Sequence, residues 1–445
     1  MSTIGLNRIA LLHIGDMHYP DAIHEEPKAD VKDPSLESQL VKLASPDLFS
    51  RSIAKALEVF EEYRIDVILL SGDLTSGGDI KGYNDCVNYL INSRIIDLTR
   101  QSTDSVHVVP GNHDVDWHLV DSASTDYNAK FDPLRRAWDV HRFGIFMRDF
   151  YRASTVSNST AVNSIKLVSL NSCIGCGVLH GYPPRILAFL QNELDRANLA
   201  NDIDAETILK SEHLDLPLVS EQALTDALAE IGRLPDEIQP LILTHHNLLP
   251  QDINRISPYP ELLNAGLVRT RLLDVNRPVL YVHGHLHKPP IEVISTPRKQ
   301  NAKVICISAP LLKDGFNVLL LEFSKKGLPL GCIVIQFIIN DNGTAEKTGE
   351  YQRITICNPL EAGRLFDEDS SQILEHVTSV EPERFPSLLQ RIHKTMGKHL
   401  QKSTLANLLL EAQWAGIVSL GDFEEKDSYG AIYGDCQYWV VRRLP

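Results

Sequence analysis

The sequence contains no long hydrophobic run. No window of its 445 residues approaches the stretch of about 18 consecutive apolar residues from which a membrane-spanning helix is built. The segment from Met1 to Arg8 also lacks the basic region followed by an apolar region that marks a secretory signal. We therefore expect a cytoplasmic protein that does not associate with a membrane.

Cysteine is sparse and widely spread. The chain has seven cysteines, of which only Cys173 and Cys176 lie close together. Two neighbouring thiols cannot complete a four-ligand zinc site. An odd, scattered set in a long chain is typical of reduced thiols, and it argues against a disulfide framework.

Positive charge is in deficit. Lysine and arginine number 43 against 58 acidic residues, a net charge of −15, whereas a protein that coats nucleic acid nonspecifically needs a broad basic face. This balance does not exclude an enzyme that contacts a phosphodiester locally. Residues 200–237 hold ten acids and only two bases, so the negative charge is concentrated there. Residues 130–152 and 391–402 are locally basic, and we interpret both as solvated helix faces, with nucleic-acid contact as the alternative.

Five short apolar runs each end in a cluster of His, Asp or Asn. Runs of this length bounded by Gly or Pro are typical of buried strands, and helical stretches at 50–64 and 83–98 separate the first of them. Strands that alternate with helices predict a largely parallel α/β sheet, in which residues at the carboxyl ends form one crevice. The clusters are Asp16-Met-His18, Gly72-Asp73, Gly111-Asn112-His113-Asp114, His245-His246 and Gly284-His285-Leu-His287.

Each cluster alone is a weak signal, because Gly-Asp and Gly-Asn are common in turns and a histidine after a strand is often structural. The five together predict one site. Carboxylate, amide and imidazole ligands suit two divalent ions such as Mn, Fe, Zn or Co, of which we favour Mn. In extended backbone, the two-residue spacing within D-x-H and H-x-H would point both side chains to one face. The glycines are expected to let the backbone approach a phosphate without a Cβ clash.

This order of motifs resembles the calcineurin-like metallophosphoesterase family over residues 8–310, and within it the cyclic-nucleotide-phosphodiesterase-like branch. A more distant resemblance is to the DNA-repair exonuclease branch. The family implies a four-layer α/β/β/α sandwich with two metal positions that share Asp73. The implied ligands of the first metal are Asp16, His18, Asp73 and His287, and those of the second are Asp73, Asn112, His245 and His285.

The resemblance also implies the chemistry. A hydroxide that bridges the two metals would attack phosphorus in line, and His113, held by Asp114, would protonate the leaving group. His246 is expected to orient a ligand or contact the substrate, although it remains an alternative to His245 as the metal ligand. Asn171 is a further candidate for substrate contact. The segment His180-Gly181-Tyr182 borders the substrate in relatives, and the sequence leaves its role here open.

The chain divides into two predicted domains. Residues 1–358 would form the metallophosphoesterase domain, with insertions at about 116–160 and 200–237. Strand-like runs from residue 304 onward predict a meander that completes a second sheet against the first. Residues 359–445 would form a small α+β module of helices and a hairpin, winged-helix-like or used for docking a protein partner or a second copy.

Three functions follow as hypotheses. The first is a phosphodiesterase that hydrolyses a nucleotide, a cyclic nucleotide or a similar phosphodiester. The second is a DNA nuclease of the DNA-repair exonuclease type, or a phosphoesterase component of a multi-protein nucleic-acid or defence complex. The extra C-terminal module and the basic stretches favour the nuclease. The His245-His246 pair counts against it, because the exonuclease branch usually shows His-Gln there. The net charge weighs little, since it is concentrated in residues 200–237. The third, a non-enzymatic scaffold on this fold, is disfavoured because no implied ligand position is missing.

Overall fold

The computed structural model describes most of the chain in well-defined segments. These are residues 6–19, 54–59, 63–92, 105–120, 128–141, 151–157, 163–176, 215–250, 261–288, 290–340, 344–348, 351–357, 362–377, 381–397, 399–421 and 439–444, with a few short stretches between them. Among the helices of these segments, none combines the length and the apolar character that a membrane span requires. The seven cysteines are free thiols.

The strands fall into two large sheets and one small one. In chain order they are β1 (Asn7–Ile14), β2 (Val67–Leu70), β3 (Val106–Val108), β4 (Ile145–Phe146), β5 (Tyr151–Ser157), β6 (Ser164–Leu170), β7 (Ile238–Leu243), β8 (Pro278–His283), β9 (Ile291–Thr296), β10 (Lys299–Ser308), β11 (Gly315–Phe323), β12 (Pro329–Ile339), β13 (Ala345–Lys347), β14 (Gln352–Thr355), β15 (Glu383–Arg384), β16 (Val418–Gly421) and β17 (Val440–Arg443).

Eight α-helices with defined bounds accompany the strands in the described segments. They are α1 (Ile80–Asn92), α2 (Asp132–His141), α3 (Glu221–Ile231), α4 (Ala265–Asp274), α5 (Ala362–Leu365), α6 (Glu368–Glu375), α7 (Phe385–Met396) and α8 (Lys402–Trp414). Positions 54–59, inside the predicted helix at 50–64, are helical as well.

The first sheet has the order β13-β12-β11-β1-β2-β3-β4, with β14 also paired to β12. Strands β1 to β4 are parallel, whereas β11 runs antiparallel to β1. The second sheet has the order β5-β6-β7-β8-β10-β9, and its inner four strands are parallel. The predicted meander is therefore wrong in part. Only its run at 304–308 joins the second sheet, and the later runs extend the first sheet beside β1.

The two sheets pack face to face, with helices on both outer surfaces. Along β1, Ile9 and Leu11 belong to the apolar cluster between the sheets, while the alternating Leu12 belongs to the cluster on the outer face. This alternation follows from the period of two in a strand. Helices α1 and α2 cover the outer face of the first sheet, and α3 and α4 cover that of the second. The predicted four-layer α/β/β/α architecture is confirmed.

The C-terminal segment packs on the outer face of the first sheet. Its elements follow the order α6, β15, α7, α8, β16 and β17, and its small sheet has the order β15-β17-β16. The segment thus contains a helix, a strand, two helices and two paired strands, and its assignment to a winged-helix-like or docking module stays a prediction. The apolar residues of α8 share one core cluster with the outer face of the first sheet.

Polar contacts also join α8 to the sheet. Trp414 Nε1 donates to Glu322 Oε2 over 2.8 Å, and the main-chain amide of Lys325 donates to Glu411 Oε1 over 2.7 Å. Glu322 is fully buried, and its other oxygen accepts from Arg8 over 3.1 Å. Because a buried carboxylate needs these partners, the contact between α8 and the sheet is specific as well as apolar.

Candidate metal centre

The five predicted clusters lie at the carboxyl ends of parallel strands from both sheets. Asp16 and His18 follow β1, Asp73 follows β2, and the 3-10 turn Asn112–Asp114 follows β3. His245 and His246 follow β7, while His285 and His287 follow β8. Since the two sheets pack face to face, their strand ends meet at one edge of the sandwich.

Four of the predicted ligands form one compact group. One side-chain atom from each of Asp16, His18, Asp73 and His287 lies within 4.8 Å of the corresponding atoms of the others. His18 Nε2 is 3.6 Å from Asp73 Oδ2, and His287 Nε2 is 3.6 Å from Asp16 Oδ1. Two carboxylates and two imidazoles at this separation form a donor set that divalent transition ions prefer.

A second group lies beside the first. The ring nitrogens of His245, His246 and His285 lie within 4.8 Å of one another. His245 Nε2 is 3.0 Å from Asn112 Oδ1 and 3.3 Å from Asp73 Oδ2. The same oxygen, Asp73 Oδ2, therefore faces His18 in one group and His245 in the other.

The orientation of the His245 ring is set by a carbonyl group. Its Nδ1 lies 2.8 Å from the main-chain oxygen of Ser71, which can only accept, so Nδ1 carries the proton. Nε2 therefore faces Asp73 and Asn112. Burial lowers the pKa of His245, but the charge and hydrogen bond of Asp73 outweigh it and raise that pKa to about 10. The surrounding carboxylates thus favour a cation at this position.

His246 also directs a nitrogen into the second group. Its Nδ1 lies 2.9 Å from Ser172 Oγ, and its ring centroid is 4.5 Å from that of His285. Burial, together with His285 and His245, lowers the pKa of His246 well below its usual value, so the ring is neutral. Both histidines of the pair therefore reach the site, and His245 is the one beside Asn112 and Asp73.

The predicted ligands occupy strained backbone. Seven non-glycine residues in the described segments have positive φ, and five of them are predicted ligands: Asp16, His18, Asp73, His285 and His287. The expectation that extended backbone orients the D-x-H and H-x-H pairs is wrong, because both members of each pair are left-handed. Such residues cost of order 1–3 kcal/mol each and cluster at functional sites.

The motif glycines lie against the ligands themselves. A Cβ on Gly111 would stand 2.0 Å from Asp73 Oδ1, and one on Gly284 would stand 2.6 Å from Asp16 Oδ2. Contacts this short are closer than real Cβ atoms make, so only glycine fits. We expected these glycines to admit a phosphate; the structure shows that they admit the ligand carboxylates.

Two buried nitrogens in the site have no hydrogen-bond partner among the described residues. They are His18 Nε2, beside Asp73 in the first group, and His246 Nε2 in the second. A buried polar atom without a hydrogen-bond partner destabilises the folded state, and an imidazole nitrogen that makes no hydrogen bond is available as a metal ligand. The residues present therefore fit two divalent ions.

His113 and Asp114 have separate positions. The exposed His113 packs its ring edge-on against His18, with centroids 4.7 Å apart. Asp114 is fully buried and accepts from the main-chain amides of Leu74 and Thr75 over 3.1 Å, and of Gly111 over 2.9 Å. Asp114 thus anchors the loops that carry the ligands. The sequence predicts instead that Asp114 holds the His113 ring.

The predicted substrate residue Asn171 is buried in a turn. Its Oδ1 accepts from the main-chain amide of Cys173 over 2.9 Å, so this oxygen serves the local chain. The segment His180-Gly181-Tyr182 lies outside the described residues.

Lys130, expected on a solvated face, is buried and donates to the carbonyl of Ile174 over 2.7 Å and also to that of Cys176.

Sequence reasoning missed Asp215 as a site residue. Its Oδ2 accepts from Asn112 Nδ2 over 2.9 Å, although the two are 103 positions apart. Burial raises the pKa of Asp215, and a hydrogen bond from Cys176 opposes that shift. One acid among the ten between residues 200 and 237 carries no distinguishing signal in the sequence.

Comparison with solved structures gives remote similarities. A dimetal phosphatase from Danio rerio is 14% identical, with a TM-score of 0.43 over 78% of this chain and 99% of its own. A calcineurin-like phosphoesterase from Bacillus subtilis is 12% identical, with a TM-score of 0.33 over 90% of this chain and 99% of its own. A 5'-nucleotidase precursor from Thermus thermophilus is 13% identical, with a TM-score of 0.37 over 76% and 56%.

A search of curated proteins gives no match. The family model described as calcineurin-like phosphoesterase matches residues 9–289, which is more than half of the chain and contains every cluster of the site. The resemblance stated from the motifs is thus confirmed, and this chain belongs to the calcineurin-like phosphoesterase family.

Proposed function

We propose that this protein is a two-metal phosphodiesterase that hydrolyses a nucleotide, a cyclic nucleotide or a similar small phosphodiester. The observation that carries the proposal is the position of Asp73 Oδ2, 3.6 Å from His18 Nε2 and 3.3 Å from His245 Nε2. A carboxylate oxygen shared by two groups of ligands is suited to holding two cations side by side. A site for one cation would not need the second group.

The first ion would be held by Asp16, His18, Asp73 and His287, and the second by Asp73, Asn112, His245 and His285. Ions such as Mn²⁺, which we favour, supply Lewis-acid activation of water and neutralise charge on the phosphate. His246 is the alternative ligand of the second ion, because its Nε2 is buried without a partner among the described residues and a ring nitrogen lies within 4.8 Å of those of His245 and His285. With His245 as the ligand, His246 would orient a ligand or contact the substrate.

His113 would protonate the leaving oxygen of the ester. Its ring is exposed next to His18, while its main-chain amide is held by Asp73 Oδ1 over 2.9 Å. This arrangement fixes the backbone and leaves the ring free to meet a substrate. A positioned acid of this kind contributes typically ~10²–10⁴-fold to the rate. Asp114 would support the step indirectly, through the loops that it anchors.

The contacts of α8 argue against a nuclease that uses its C-terminal module to read DNA. In a helix-turn-helix, the second helix enters the major groove. The corresponding helix here is α8, and nine of its thirteen residues are buried. Trp414 at its end donates to Glu322 of the first sheet. The module therefore presents other surfaces to any partner.

The decisive experiment measures hydrolysis of bis-p-nitrophenyl phosphate with Mn²⁺, in wild type and in Asp73→Ala. We expect activity in the wild type and its loss in the variant; inactivity of the wild type with Mn, Fe, Zn and Co would favour the scaffold hypothesis. A second assay offers 2',3'- and 3',5'-cyclic nucleotides beside single- and double-stranded DNA. Turnover of cyclic nucleotides alone supports the proposal, and cleavage of DNA alone would replace it with the nuclease.

A further inference from the structure

The side chain of Asn112 is held between the metal site and Asp215. Its Oδ1 lies 3.0 Å from His245 Nε2, on the side of the second group of ligands. Its Nδ2 donates to Asp215 Oδ2 over 2.9 Å, on the opposite side. Asp215 comes from the acidic segment 200–237, outside the five motifs that define the site.

The chemistry of Asp215 determines which way the Asn112 amide faces. A carboxylate accepts hydrogen bonds, whereas the two ends of an amide differ, one being a donor and the other an acceptor. Only the NH₂ end can therefore face Asp215, which leaves the oxygen directed at the site. A flipped amide would place its oxygen against the carboxylate oxygen of Asp215, so that two acceptors face each other. It would also turn an NH₂ group, which cannot bind a cation, toward the second metal position.

Asp215 is itself fixed by other residues. Cys176 Sγ donates to Asp215 Oδ1 over 3.2 Å, so both carboxylate oxygens are engaged. Cys176 belongs to a turn in which its amide donates to the carbonyl of Cys173 over 3.2 Å. The buried Lys130 donates to the carbonyls of Ile174 and Cys176 in the same turn. The turn Cys173–Cys176 thus connects Lys130, from the predicted insertion at 116–160, with Asp215, from the predicted insertion at 200–237.

We propose that Asp215 is a positioning residue that keeps the Asn112 oxygen directed at the second metal position and so raises the affinity for the second divalent ion. The inference rests on the proposed two-metal function. Loss of a residue that orients a ligand typically lowers metal affinity 10–100-fold. The expected effect is selective, because the ligands of the first position do not include Asn112.

The test titrates Mn²⁺ into the full-length, chelator-treated protein and follows binding by calorimetry. Electron paramagnetic resonance separates paired from single Mn²⁺ ions. We expect wild type to bind two ions. Asp215→Ala should bind the first ion with affinity within twofold of wild type, bind the second at least 10-fold more weakly, and show less of the paired-ion signal. Asp226→Ala removes a carboxylate from α3 and serves as the charge-matched control, with wild-type affinities.

A rescue experiment separates orientation from charge. Asn112→Asp alone places two carboxylates against each other and should weaken the second ion. Adding Asp215→Asn to that variant exchanges donor and acceptor, because the new amide can donate to the new carboxylate. The double variant should then bind the second ion more tightly than Asn112→Asp alone. The single change Asp215→Asn removes the charge but keeps an oxygen that can accept from Asn112 Nδ2, so it should weaken the second ion less than Asp215→Ala does. Equal weakening in the two variants would mean that Asp215 acts only through its charge and would overturn the proposal.

The outcomes distinguish this inference from the function on which it rests. Two ions bound by wild type, with an unchanged second affinity in Asp215→Ala, would overturn the role of Asp215 and leave the two-metal proposal standing. An equal loss of affinity for both ions would also overturn it. A wild type that binds fewer than two ions would overturn both. If Asp215→Ala does not fold by circular dichroism, Asp215→Leu provides the same comparison, because it also lacks an acceptor for Asn112 Nδ2; a weakened second ion is the expected result.

Discussion

The main-chain amide of His113 donates to Asp73 Oδ1 over 2.9 Å, which links the predicted acid to the predicted shared ligand. The bond occupies one oxygen of Asp73 and leaves Oδ2 facing both groups of ligands. It also draws the turn after β3 against the loop after β2. The position of the His113 ring is therefore coupled, through one hydrogen bond, to the centre of the site.

The first prediction concerns the role of His113 as an acid. His113→Ala should slow hydrolysis of esters with poor leaving groups, such as alkyl phosphodiesters, by ~10²-fold or more. It should slow esters of p-nitrophenol much less, because that leaving group departs without a proton. The measurement is kcat for a series of phosphodiesters that differ in leaving-group pKa.

The matched control for this series is His118→Ala, which removes an exposed histidine from the neighbouring 3-10 turn Trp117–Leu119. It should leave kcat for both kinds of ester within about twofold of wild type. Equal losses on good and poor leaving groups in His113→Ala would argue that the ring contacts the phosphate and does not donate a proton.

The second prediction concerns Gly111. A Cβ at this position would stand 2.0 Å from Asp73 Oδ1 and 2.4 Å from the amide nitrogen of Asp73. Gly111→Ala should therefore displace the Asp73 carboxylate and reduce both Mn²⁺ binding and turnover at least 10-fold. Gly77→Ala provides the control, since the nearest atom to its added Cβ is 3.8 Å away. If Gly111→Ala bound Mn²⁺ as wild type does, the tight fit between the two loops would be irrelevant to the site.

Much of the fold and of the site could be predicted from the motifs, because the ligands closely follow strands whose apolar runs are visible in the sequence. The conformation of the ligands could not be predicted in this way. Asp16 and His18 have positive φ, which local preference disfavours and only the surrounding packing enforces. The two residues are two positions apart in the sequence whether their backbone is extended or left-handed, so the spacing does not indicate the conformation.

Contacts between residues that are far apart in the sequence could not be predicted either. Asn112 and Asp215 meet across 103 positions, and nothing in the pattern around residue 215 distinguishes it from the other acids of its segment. The sequence predicts a solvated face for Lys130, because charged residues usually remain in water. Its burial depends on two carbonyl groups from a distant turn, which become visible only when the chain is folded.

The third prediction concerns the contact between the C-terminal module and the first sheet. A Cβ on Gly331 of β12 would stand 2.3 Å from the Trp414 ring. Gly331→Ala should push α8 away from the sheet and lower the free energy of unfolding by about 1–3 kcal/mol, as overpacking does. Urea denaturation monitored by tryptophan fluorescence measures this change.

Gly266→Ala is the control for Gly331→Ala. Gly266 lies in α4, and an added Cβ there would meet no atom within 4 Å. The free energy of unfolding should stay constant or rise by about 0.5–1 kcal/mol, because alanine is the better helix former. A Gly331→Ala protein as stable as wild type would show that α8 can leave the sheet at little cost.

The fourth prediction concerns stability in acid and the buried His13. Its Nε2 lies 3.2 Å from Ser71 Oγ, and its Nδ1 lies 3.5 Å from Asn317 Nδ2. Burial and the neighbouring His283 lower the pKa of His13 to about 3, well below the usual value of 6.5. Between these values the unfolded chain binds one proton more than the folded one. The free energy of unfolding therefore falls with decreasing pH, by about 1.4 kcal/mol per pH unit from this group.

His13→Asn removes the titrating ring and retains an acceptor for Asn317. We expect the variant to be less stable than wild type at pH 7.5 and to lose about 2 kcal/mol less on going from pH 7.5 to pH 5.0. Urea denaturation of both chelator-treated proteins at the two pH values measures this difference, in which contributions common to both proteins cancel. An identical loss in the two proteins would mean that His13 takes up its proton in the folded state as readily as in the unfolded chain, in conflict with its burial against Ser71 and Asn317.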